Sequence, residues 1–209
     1  MTLNTNEFQL ENQETGRYYS RLHSHYGDSV KSAGWFSEYT QRQRFMVGTF
    51  IDDLTEAEVL DIGCGQGDFF AYLQEQYKNI KYEGLDLSSE AIKAAKKKHL
   101  KAVFISADFF EHSFKRDYDF VFASGAFNHR VRHQLNYIKT AIAKMFTLCR
   151  KGISFNLLSG YAPEKTKYHD QYYYYDSLLI LKFCFSLTQY VALYQHYLPN
   201  DFTVNMYKK

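Results

Sequence analysis

Proline occurs only twice in 209 residues, at Pro163 and Pro199, and no stretch is rich in glycine and serine. The chain therefore offers no stiff spacer and no flexible linker along which it would divide. Cysteine is almost as rare. Cys64, Cys149 and Cys184 lie far apart and form no Cys-x-x-Cys pair, so neither a zinc site nor a disulfide framework is indicated. No apolar run approaches the length of a membrane span. The first residues, Met1-Thr2-Leu3-Asn4, do not have the basic-then-apolar shape of a signal peptide, and a cytoplasmic location is the expectation. Excess charge is also missing: the formal net charge is +2, which gives little pull on a polyanion. The one basic cluster, Lys93, Lys96, Lys97, Lys98 and Lys101, reads as the solvated face of a helix that buries Ile92, Ala95 and His99. Nucleic acid is thus an unfavoured partner.

Apolar side chains make up 45% of the residues, and 19 Tyr and 18 Phe supply most of the bulk. That is enough to fill one core, and the length suits one domain over residues 1–209. Within it, residues 1–54 read as an N-terminal helical cap or lid and 55–209 as the core, with a Tyr-rich insertion near 161–175. Residues 2–34 read as polar and turn-rich. Residues 35–54 read as a helix, because Met46, Phe50 and Leu54 recur four apart beside Val47 and Ile51. Short apolar runs then alternate with helix-length amphipathic stretches. Strands are predicted at 58–62, 81–85, 102–106, 118–123 and 153–157, and helices near 68–77, 89–99 and 134–149. Such a rhythm implies right-handed crossovers and a parallel sheet. A further helix near 176–187 precedes two β segments, 190–197 and 202–207, joined at Pro199-Asn200-Asp201 as an antiparallel hairpin. The expected fold is α/β: a doubly wound, mostly parallel seven-stranded sheet ending in that hairpin.

One stretch carries chemistry: Val59-Leu60-Asp61-Ile62-Gly63-Cys64-Gly65-Gln66-Gly67-Asp68-Phe69. A buried strand runs into a glycine-rich turn that opens a helix, and glycine is required where a ligand must approach bare backbone. Asp86 ends the second predicted strand and can accept both hydroxyls of a ribose. Asp108 ends the third and can accept the exocyclic amine of an adenine, with Phe109 against the ring. Three acids at neighbouring strand ends describe a nucleoside pocket at the carboxyl edge of a parallel sheet. A dinucleotide-binding dehydrogenase is the rival reading. It calls for Gly-x-Gly-x-x-Gly, whereas here Asp68 stands at the last glycine position and Gly67 comes one residue early.

Over residues 55–208 the chain resembles the class I, Rossmann-like, S-adenosylmethionine (SAM) dependent methyltransferases. The matching motifs are Leu60-Asp61-Ile62-Gly63-Cys64-Gly65-Gln66-Gly67, Gly84-Leu85-Asp86-Leu87-Ser88, Ala107-Asp108 and Tyr118-Asp119-Phe120-Val121-Phe122-Ala123-Ser124. The resemblance implies SAM as cofactor and S-adenosylhomocysteine (SAH) as product. It places Gly63, Cys64, Gly65 and Gly67 at the methionine part, Asp61 at its ammonium and Arg44 at its carboxylate. Asp86 and Leu87 would hold the ribose, and Ala107, Asp108 and Phe109 the adenine. Ser124 and Gly125 would face the reacting methyl.

The segment Ser124-Gly125-Ala126-Phe127-Asn128-His129-Arg130 departs from the Asn/Asp-Pro-Pro-Tyr/Phe pattern of enzymes that methylate a planar nitrogen. With Gly34-Trp35, Gln41-x-x-Arg44-Phe45 and Gly152-Ile153-Ser154-Phe155-Asn156, it is similar to a bacterial subgroup of small methyltransferases. A small-molecule acceptor is expected. The alternatives are a SAM-binding sensor or scaffold without transfer, and an RNA methyltransferase using the lysine cluster. His129 is the titratable residue nearest the expected methyl position and is the candidate catalytic base. His129 and His133 lie four apart but have no third ligand at matching spacing, so no metal is expected. The 161–175 stretch, with Pro163, His169 and the four tyrosines at 172–175, is either a cover for the acceptor or a strut on the sheet.

Overall fold

A computed structural model describes residues 8–27, 29–164 and 170–209. Its sheet has the strand order β3-β2-β1-β4-β5-β7-β6. Five strands are parallel: β1 (Glu58–Ile62), β2 (Lys81–Asp86), β3 (Val103–Ser106), β4 (Tyr118–Ser124) and β5 (Cys149–Leu158). Strand β7 (Asp201–Tyr207) runs antiparallel between β5 and β6 (Val191–Tyr194). The expected seven-stranded architecture with its terminal antiparallel pair is what forms. The β6–β7 connection is looser than a tight turn, because Tyr194 already pairs with Thr203 and Tyr197 folds back to bond Thr203 Oγ1 at 2.8 Å.

Alternation along each strand sends neighbouring side chains to opposite faces. Leu60 and Ile62 of β1 pack with Val121 and Ile153 under α5 (Gln134–Leu148) and α6 (Ser177–Phe185). Val59, Tyr82, Phe120 and Phe122 face the other way. They pack under α2 (Glu38–Gly48), α3 (Asp68–Gln76) and α4 (Ser89–Lys98). Both faces of the parallel strands are covered, which is why those strands read as nearly continuous apolar runs. The strand order reverses between β1 and β4, and the crevice at that switch point is where this topology places ligands.

One expectation fails. Within residues 2–34, predicted to be turn-rich, lies an 18-residue helix, α1 (Gln9–Tyr26), followed by a short 3₁₀ turn at Val30–Ala33. Its buried positions, Asn12, Thr15 and Gly16, are polar or lack a side chain, so no apolar stripe marks it in the sequence. The buried face is polar because it lies over the polar carboxyl edge of the sheet: Ser20 Oγ donates to Ser88 Oγ at 3.1 Å, and Gly16 sits against Leu87. His169 lies outside the described residues.

Candidate active site

The turn after β1 is held open by backbone geometry. Gly63 has φ +74°, and a Cβ there would come within 2.5 Å of Ala126 Cβ. The N–H groups of Gly63 and Cys64 both donate to Leu85 O, at 2.7 and 3.1 Å. Asp86 then locks the two strand ends together. Its Oδ2 accepts from Gly65 N at 2.8 Å and its Oδ1 from Ser88 N at 2.7 Å. Those bonds favour the carboxylate, yet burial outweighs them and holds the Asp86 pKa above the usual carboxylate range. Asp61 is only 2% exposed. Burial pushes its pKa up to about 7, against a lowering contribution from Tyr82, whose hydroxyl donates to Asp61 Oδ2 at 2.5 Å. Asp108 accepts from Phe110 N through Oδ1 and from Asn12 Nδ2 through Oδ2, both at 2.8 Å.

These acids share one cavity. Its walls include Asp61, Gly63, Cys64, Gly65, Asp86, Leu87, Ala107, Asp108, Phe109, Ser124 and Gly125. Asp86 and Asp108 therefore open onto the same space, as the proposed nucleoside pocket requires. Gly67 stands apart: it caps α3 with φ +87° and packs on His99, outside the cavity wall.

Arg44 is also elsewhere. It is buried and off the cavity wall, with three of its five N–H groups taken: Nε donates to Asp201 Oδ1 at 2.7 Å, one terminal nitrogen to Asp201 Oδ2 at 2.5 Å, and the other to Thr40 O at 2.9 Å. The fork formed by Nε and one terminal nitrogen is closed on an internal carboxylate and cannot also receive a ligand's carboxylate. The expectation for Arg44 is corrected accordingly.

His129 does not border the cavity either. Its Nδ1 lies 3.4 Å from Thr15 Oγ1, and its ring centroid 5.3 Å from that of Tyr18, both on α1. Burial lowers its pKa, so the ring is neutral at pH 7. His133 caps α5 and His129 sits in the preceding loop, so the two do not share a helix face.

Sequence reasoning expected an N-terminal lid but assigned none of its cavity-lining residues to the site. Asn12, Thr15 and Tyr19 of α1 line the cavity, as does Tyr137 of α5. Asn12 is the keystone, donating to Asp108 and accepting from Tyr137 Oη at 2.8 Å. Phe8, Asn12, Thr15, Gly16 and Tyr19 follow a helical spacing, and that spacing, read without regard to polarity, was the available signal. Of the tyrosines at 172–175, Tyr175 and Tyr172 take different places. Tyr175 is a core strut whose hydroxyl donates to Phe127 O at 2.6 Å and accepts from Gln134 Nε2. Tyr172 pairs with His129 and its hydroxyl reaches Gly34 near Tyr19.

The donor set suits an adenosyl cation. The cavity offers carboxylate acceptors for hydroxyl, amine and ammonium groups, and a Cβ-free bend for close approach. Ser124 Oγ on its wall is buried without a hydrogen-bond partner. Comparison with known proteins agrees. A family model described as a methyltransferase domain matches residues 59–152. A Mycobacterium tuberculosis protein named as a methyltransferase, Rv1506c, is 30% identical over 152 residues, covering 69% of this chain and 89% of its own length.

The chain belongs to the class I SAM-dependent methyltransferases.

This methyltransferase is also 33% identical over 106 residues to malonyl-[acyl-carrier protein] O-methyltransferase 2 of Ilyobacter polytropus. That match covers 46% of the chain but only 40% of the relative's length. The solved magnesium protoporphyrin IX methyltransferase of Synechocystis PCC 6803, with bound SAM, shares the fold. Its TM-score is 0.67 at 16% identity, over 95% of this chain and 97% of that one. No described helix of the methyltransferase is long and apolar enough to cross a membrane.

Proposed function

We propose that the chain transfers the methyl group of SAM to a small organic acceptor that approaches the Ser124–Gly125 end of the cavity. The observation that carries this reading is the convergence of Asp61, Asp86 and Asp108 on one cavity beside the Gly63 bend. Asp86 would accept the ribose hydroxyls, and its two backbone donors already fix the carboxylate for that purpose. Asp108 would accept the adenine amine while Phe109 covers the ring. Asp61 would balance the methionine ammonium, and the backbone of Gly63, Cys64 and Gly65 would bear on the methionine chain. When bound, SAM supplies a methyl group activated by its positive sulfur.

The protein's share is alignment and exclusion of water. Helix α1 roofs the cavity through Asn12 and Tyr19, and rigid strand ends fix the floor, so the reactants would meet in line at little further entropic cost. Neutral His129 can accept a proton, but it stands behind α1 and outside the cavity wall. The proposal therefore rests on alignment and needs no side-chain base. Relatives whose names specify acyl-carrier-bound malonyl and magnesium protoporphyrin IX acceptors support an organic small-molecule class.

Calorimetric titration tests the cofactor half: SAM and SAH bind the wild type, and Asp86→Ala abolishes binding. Unchanged affinity in that variant refutes the ribose assignment. Incubation with methyl-labelled SAM and fractionated extract tests the acceptor half. Label confined to nucleic acid, or to amino-acid side chains of proteins rather than carrier-bound acyl groups, would refute a small acceptor.

A further inference from the structure

The described part of the chain holds a closed ring of contacts beside the Ser124–Gly125 end of the cavity, of which the cofactor reading uses only Gly125. Asp201, at the start of β7, grips Arg44 of α2 with both carboxylate oxygens. The Arg44 guanidinium lies over the indole of Trp35, 4.6 Å from the ring centroid. Trp35 in turn packs flush on Gly125, where a Cβ would lie 2.6 Å from its outermost ring carbon. Gly125 N donates to Asn156 Oδ1 at 2.6 Å, and Asn156 Nδ2 returns to Asp201 Oδ1 at 3.4 Å. The two charged side chains are 7% and 0% exposed. A buried ion pair is a poor way to gain stability, since an apolar pair of the same volume often does as well. It is an effective way to fix orientation. A planar guanidinium clamped by two oxygens presents one flat face in one direction, and here that face holds the indole.

We propose that Trp35 is the wall against which the methyl acceptor docks, and that Arg44 and Asp201 are positioning residues that hold this wall at Gly125. The inference rests on the cofactor reading above, because Ser124 and Gly125 mark the methyl end only if SAM binds as described. Trp35 and Gly125 both line the cavity, whereas Arg44 and Asp201 do not. The pair acts through the ring it holds.

Trp35 is the sole tryptophan of the chain, so its fluorescence reports on this wall alone. SAH is titrated into the intact wild-type protein and followed by calorimetry and by Trp35 emission. The expected result is an emission change that saturates at the calorimetric Kd. Binding heat without an emission change overturns the proposal and leaves the cofactor reading standing. Absence of heat overturns the cofactor reading and this inference with it. The positioning claim is read in the double variant Arg44→Met/Asp201→Asn, which leaves no unpaired buried charge. Trp35 anisotropy should fall and its emission shift to the red, while SAH affinity changes by no more than a few-fold. Arg44→Lys, which keeps the charge but not the flat fork, should recover melting temperature without recovering anisotropy. Wild-type anisotropy in the double variant, or full recovery by lysine, overturns the positioning role.

Discussion

If Asp61 meets the methionine ammonium as proposed, cofactor binding should depend on pH, in a direction that follows from the surroundings of the carboxyl. The carboxyl is enclosed by Tyr82 on β2 and by the fields of Asp86 and Asp68, and burial lifts its pKa from 3.8 to about 7. Since its folded value lies above the unfolded one, ionisation costs stability that grows from about pH 4 and is complete above about pH 7, on the order of 4 kcal/mol. A bound ammonium group would remove that cost by pairing with the charge. Binding should therefore favour ionised Asp61, and SAH affinity should rise as pH increases. If only the ionised form binds, apparent affinity rises about tenfold between pH 6 and pH 8, and close to one proton is released per ligand at pH 6. Asp86, also raised by burial, pushes in the same direction, so Asp61→Asn is needed to isolate this group. In that variant the pH dependence should flatten, and the ligand-free protein should melt higher than wild type at pH 8 but not at pH 4. Calorimetry in two buffers of different ionisation enthalpy measures the proton count directly. Wild-type affinity that is flat from pH 6 to 8, with no proton released, would refute the burial argument.

Three other substitutions probe separate parts of the molecule. Gly63→Ala forces a side chain into a left-handed bend already in contact with Ala126, and should cost about 1–3 kcal/mol in urea unfolding and abolish SAH binding. Asp201→Ala strands the buried Arg44 charge, with an expected loss of about 3–5 kcal/mol by the same assay; adding Arg44→Met should restore most of it. Gly16→Leu keeps α1 a good helix former but drives a side chain into Leu87. Limited proteolysis should then cut near α1 faster, while the melting temperature of the core moves little.

The sheet and the floor of the cavity could be read from sequence because their rules are local. Strands covered on both faces appear as apolar runs, and the bend between β1 and α3 announces itself through glycines that no other residue replaces at low cost. Asp61, Asp86 and Asp108 each lie within two residues of the carboxyl end of such a run. Helix α1 obeys a different logic. Its inward side chains meet carboxylates and hydroxyls, so its buried stripe is polar and a search for apolar periodicity passes over it. Arg44 failed for a third reason. A sequence shows that a cation follows Trp35 by nine positions, but not that Asp201, 157 residues further on, closes the fork. The place of His129 was hidden in the same way, since it is set by contacts with a helix more than a hundred positions earlier.

These failures share a cause that bears on how acceptors are chosen in this fold. The floor needs one conformation of one bend plus three acids at strand ends, and a single β-α-β-α-β run supplies them all. The remaining walls of the cavity include α1 and Trp35, two stretches that meet the strand ends only in the folded chain. A change in either reshapes the cavity wall, and neither takes part in the bonds of Asp86 with Gly65 and Ser88. Selection can thus retune the acceptor while the cofactor floor stays fixed. It follows that grafting residues 8–54 from a relative should change which acceptor is methylated far more than it changes SAH affinity. An equal loss of both in a chimera that still folds would mean that α1 binds cofactor chiefly, through Asn12 at Asp108, and that the acceptor is chosen elsewhere.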